Sequence, residues 1–64
     1  MKLTRAQIVG LYGLAMNMPV DTELDILDFD TYGDAVVEAK SKSSGMISAR
    51  FKLFAKGGTE PVQT

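Results

Sequence analysis

The sequence predicts an α+β fold: one N-terminal helix packed on a three-stranded antiparallel β-meander. Three observations lead there. Met46–Ala55 is read as a strand from its alternation of apolar and polar residues, strict over Ile47–Leu53, the period of a half-buried strand. Two stretches, Thr31-Tyr32-Gly33 and Ser43-Ser44-Gly45, have the form of a type I turn followed by a left-handed glycine, which joins antiparallel strands. Ahead of both, Leu3–Asn17 carries apolar residues at helical spacing behind a capping signal.

In the helix, Thr4 and Gln7 have capping-box spacing, with Leu3 and Ile8 at the staple positions. Ile8, Leu11, Ala15 and Met18 form the expected buried stripe, widened by Leu14. Gly10 and Gly13 each cost about 1 kcal/mol relative to Ala in a helix interior, so both are read as points of close helix contact. Pro19 pushes the preceding residue out of the helical region and ends the segment.

Leu24–Asp30 is strand-like but changes phase. Leu24 and Ile26 share one face while Leu27 and Phe29 share the other, and a bulge near Ile26 and Leu27 would turn all four inward. The first corner then pairs Asp30 with Asp34. The second pairs Lys42 with Met46, which sets Ser41 opposite Ile47, Ala39 opposite Ala49, Val37 opposite Phe51 and Ala35 opposite Leu53. The reverse face receives Lys40-Ser48, Glu38-Arg50 and Val36-Lys52. A slip of one residue would invert a strand, so the apolar pattern fixes this register. Residues 1–58 are expected as a single α-β-β-β domain, and residues 59–64, polar with one proline, as a flexible C-terminal tail.

The net charge of -1 hides a segregation. Seven of the eight acids lie between Asp21 and Glu38, and five of the seven bases between Lys40 and Lys56. Lys40, Arg50 and Lys52 therefore share the outer face of the hairpin with the apolar Val36, Met46 and Phe54. These six residues are the expected partner-binding surface, and an edge strand is the other place where a partner could attach.

Chemistry is sparsely provided. The chain has no His and no Cys, which removes the ligands zinc prefers, disulfides, and the usual base for a serine nucleophile. Asp28, Asp30, Tyr32, Gly33 and Glu38 imitate a calcium loop, but Tyr stands at a ligand position and the Glu arrives one residue early. No catalytic residue, metal or cofactor is expected. No run approaches the roughly 18 apolar residues of a membrane span, and a cytoplasmic location is expected. A single domain of this size is marginal without disulfides, metal or oligomerisation, so a two-fold homodimer is the expected assembly. Together these features point to a small non-catalytic binding or regulatory module acting through protein contacts. The alternative is a nucleic-acid binder using the basic hairpin around Lys40, Arg50, Lys52 and Phe54. Compact Cys-free chains are also common among accessory proteins of phages and plasmids, which is an association and not a deduction.

Overall fold

Thr4 stops the chain from entering a helix any earlier. In the computed structural model, which describes residues 2–62, its backbone is extended and its hydroxyl accepts from Gln7 N at 3.1 Å. Gln7 Oε1 in turn accepts from Thr4 N at 2.8 Å, which closes the capping box. Helix α1 (Arg5–Ala15) follows, and then the strands β1 (Thr22–Phe29), β2 (Ala35–Ser41), β3 (Ile47–Leu53) and β4 (Thr59–Pro61). They form one antiparallel sheet in sequence order.

The α+β class stands, but the meander has four strands where three were expected. Residues 59–61, read from the sequence as part of a flexible tail, pair with β3, setting Thr59 opposite Leu53 and Pro61 opposite Phe51. The reason is a corner that the sequence repeats. At the first turn Asp30 N donates to Asp34 O at 2.9 Å and Gly33 N to Asp30 O at 3.0 Å. After β3, Phe54 N donates to Gly58 O at 3.1 Å and Gly57 N to Phe54 O at 2.9 Å, enclosing Ala55-Lys56-Gly57. Gly stands third in both loops with positive φ, 85° at Gly33 and 121° at Gly57. A proline is acceptable in β4 because that strand is an edge. Residues 63 and 64 of the expected tail lie outside the described residues.

Register follows the apolar pattern over most of the sheet. Ala35, Val36, Val37, Glu38 and Ala39 stand opposite Leu53, Lys52, Phe51, Arg50 and Ala49, as expected. At the β2–β3 corner the expectation is off by one. Ser41 N donates to Met46 O, so four residues turn the corner and Lys40 faces Ile47, leaving Ser48 as the extra residue of a bulge. The cause lies outside the hairpin: Lys42 N donates to Asp21 O at 3.0 Å and cannot face Met46. In β1 the pairing skips Leu27 between Ile26 and Asp28, where the broken phase called for a bulge.

The core consists of Ala35, Val37, Ala39, Phe51 and Leu53, with Leu3, Leu11, Leu14, Met18, Leu24 and Phe29 packed around it. The helix turns a different face inward from the one expected. Ile8 and Ala15 are exposed, and the residue at the centre of the buried face is Gln7, at 1% exposure. Its Nε2 donates to Gly33 O at 2.7 Å and to Leu53 O at 3.0 Å, while Thr4 Oγ1 donates to Ala55 O at 2.9 Å. These bonds pull the helix over β3. Ile26 and Leu27, expected to point inward, are 45% and 48% exposed, although Ile26 stands opposite the buried Val37.

Replacing Gln7 by Leu preserves the volume but removes three hydrogen bonds, one of them in the buried interior. The expected loss is of order 3 kcal/mol in urea denaturation, from about 1–3 kcal/mol per unsatisfied buried group with partial relaxation. Gln7→Glu places a carboxylate against the same carbonyls, and its larger loss should shrink in acid, where a protonated carboxyl can donate again. For β4, the Val62 amide, bonded to Arg50 O at 2.9 Å, should exchange slowly with solvent. Free exchange there would contradict the fourth strand.

Candidate functional site

The outer face of the sheet, away from the helix, carries most of the expected surface residues. Strand alternation points Val36, Glu38 and Lys40 of β2 to this side, opposite Lys52, Arg50 and Ile47 of β3. All three of its cations meet carboxylates. Arg50 Nε donates to Glu38 Oε2 at 2.8 Å, Lys52 Nζ lies 3.5 Å from Asp30 Oδ2, and Lys40 Nζ lies 3.9 Å from Asp25 Oδ2. The Lys52 ammonium also sits 5.7 Å from the Phe54 ring centroid. Exposed pairs of this kind contribute about 0.2–1 kcal/mol each. Their larger effect is to leave a ladder of alternating sign in place of a basic stripe.

Val36, Lys40, Arg50, Lys52 and Phe54 are half-buried, and Met46 is exposed in the β2–β3 corner. The basic edge expected of the third strand is also altered, since β4 covers Phe51–Leu53 and the open edge of the sheet on the other side is β1 alone. Of the two helix glycines, Gly10 makes a close approach: a Cβ there would stand 3.3 Å from Thr59 Cγ2 and 3.8 Å from Leu53 Cδ2. Gly13 has nothing within 4 Å, so no close approach is made there within this chain.

Two shallow grooves flank these faces. One of about 370 Å³ runs between the end of α1 and the start of β1, lined by Met16, Met18, Pro19, Val20 and Leu24 among others. The second, about 420 Å³, lies between the two like corners and is lined by Tyr32, Asp34, Phe54, Ala55, Lys56 and Gly57. Among the described residues, no three His, Cys, Asp or Glu side chains gather as they would around a metal ion. The carboxylate that the calcium-like motif would need is already in use: Asp30 Oδ1 accepts from Tyr32 N at 2.8 Å and Asp34 N at 3.0 Å. Among the described residues no helix is long and apolar enough to cross a membrane.

Asp21 forms the other polar cluster. Its Oδ2 accepts from the hydroxyls of Ser43 at 2.8 Å and Ser41 at 3.1 Å. Those two bonds hold its carboxyl below the usual aspartate range against a small opposing effect of burial. For Asp30 burial acts upward, but the N–H groups of Asp34 and Tyr32 and the Lys52 ammonium outweigh it, and its carboxyl too is depressed. Both serines are thus committed as donors to a carboxylate that is a weak base, an arrangement that fixes a corner and does not activate a nucleophile.

Residues missed from the sequence are Val9, Tyr12 and Met16, which with Ile8, expected in the buried stripe, stand 54–67% exposed on the side of α1 turned away from the sheet. The available signal was a helix that is apolar all round. No family model matches the chain, and neither a curated protein nor a solved structure matches it.

A depressed carboxyl contributes stability above its unfolded pKa, about 4, and loses it as pH falls through the lower folded value. The urea midpoint should therefore fall on acidification below about pH 4. Asp21→Asn should be less stable at pH 7 and show a flatter acid limb. A limb of unchanged slope would mean that the serine bonds do not report on folding.

Proposed function

We propose that this chain is a small non-catalytic binding module that acts through protein contacts as a homodimer, with the acidic edge β1 as its partner-binding surface. The observation that carries the reading is the state of that edge. Among the described residues no strand lies on its far side, so a row of backbone groups is available for strand addition. Ile26 and Leu27 stand half-exposed beside it, and Glu23, Asp25 and Asp28 are exposed along it. An extended partner segment with apolar residues toward the helix side and Lys or Arg toward the sheet's outer side would match both.

The absence of His and Cys from the chain, and the engagement of Ser41 and Ser43 with Asp21, support a non-catalytic role. The alternative, binding nucleic acid through Lys40, Arg50, Lys52 and Phe54, draws less support, because each of these bases faces a carboxylate within 4 Å. Phosphate attraction is strongest at low salt. Single- and double-stranded DNA and RNA should therefore fail to bind even at about 20 mM salt, and clear retention would revive that alternative.

Partner capture tests the edge. A protein retained by the wild-type chain should be lost with the double variant Asp25→Lys, Asp28→Lys, and should be released by salt. Lys56→Glu, outside β1, should leave retention unchanged. If the edge variant holds the same partner as tightly as wild type, β1 is not the contact surface.

A further inference from the structure

Helix α1 is apolar on both sides, and only one side is covered. Its inward arc holds Gln7, Leu11 and Leu14. On the opposite arc, within about 100° of one another at 3.6 residues per turn, lie Ile8, Val9, Tyr12 and Met16, all more than half exposed. A helix apolar all round is ordinarily buried all round. The same arc is flanked by Gly13, where a Cβ would have nothing within 4 Å among the described residues, yet which weakens the helix. Exposed bulk beside an unexplained gap is the shape of half an interface.

From this geometry, and resting on the homodimer reading above, we infer that two copies associate through α1 packed antiparallel on α1 about a two-fold axis, with Ile8 of each copy seated over Gly13 of the other. A two-fold axis fixes the remaining register: Val9 meets the partner's Tyr12, and Arg5 comes to the partner's Met16. Large side chains then face small ones, as in interdigitated helix packing.

Charge selects a second copy of this helix as the occupant. Arg5 is the sole charged residue of α1, and the last turn carries no base. In the antiparallel register each Arg5 reaches the negative end of the partner's helix dipole, and no like charges oppose one another along the contact. Pairing β1 with β1 would do the reverse, setting acids such as Glu23 and Asp28 face to face.

Sedimentation equilibrium tests the proposal, with circular dichroism confirming that each variant is folded. Wild type should be dimeric at micromolar concentration, and Met16→Glu should be monomeric with an unchanged spectrum. Gly13→Ala gives the sharper reading. It should raise the melting temperature of the dilute monomer, since Ala favours the helix and open space surrounds it, while weakening dimerisation at least tenfold by filling the seat of Ile8. Register is read by mixing Val9→Cys and Tyr12→Cys chains, whose introduced thiols are the only ones present. The mixed disulfide should dominate over either self-linked product. A wild-type dimer that persists in Met16→Glu and Gly13→Ala overturns the helix interface but leaves the homodimer reading intact. A wild type that stays monomeric at all concentrations, or that partitions onto lipid vesicles instead of pairing, removes both.

Discussion

One side chain fixes how the two halves of this fold meet. Gln7 makes three hydrogen bonds in three directions: back to the helix start at Thr4 N, and across to the carbonyls of Gly33 in the β1–β2 corner and Leu53 at the end of β3. A buried amide with unmet bonds is costly, so the helix has one rotation and one height over the sheet at which Gln7 can be buried. Apolar contacts are non-directional and set no such rotation; with the amide buried, Gly10 lies against Thr59 and the side bearing Ile8 and Tyr12 looks outward.

That choice of face explains why the sequence was easier to read for elements than for packing. The capping box was legible because it is local, with two residues three apart. Its second use, as the centre of the inner face, was not, because periodicity counts apolar residues and a glutamine in the core is not among them. The stripe drawn through Ile8 and Ala15 was accordingly rotated from the true one. The bulge at Leu27 was legible for the opposite reason, since two runs of opposite phase in one strand leave no regular alternative.

Corners show the same division between near and far causes. The rule that places Gly third in a three-residue loop holds at Gly33 and again, unnoticed in the sequence, at Gly57, where a short polar strand with a proline looked like a tail. It misses by one residue at Gly45 because Asp21, more than twenty residues upstream, takes the Lys42 amide and both nearby hydroxyls. A bulge at Ser48 absorbs the extra residue before Ala49, so the apolar pairs inside remain as the alternation dictated. For the candidate surface, charge segregation along the chain was legible but its folded outcome was not. Adjacent antiparallel strands turned two blocks of opposite sign into pairs.

The acids along β1 have a further role that is independent of any partner. An open strand edge with half-exposed Ile26 and Leu27 beside it is a template on which identical chains could stack, and mutual repulsion between Glu23, Asp25 and Asp28 on neighbouring molecules keeps that from happening near neutral pH. The acidic row thus decides what can lie beside β1: a cationic strand is admitted, and a copy of the same edge is turned away.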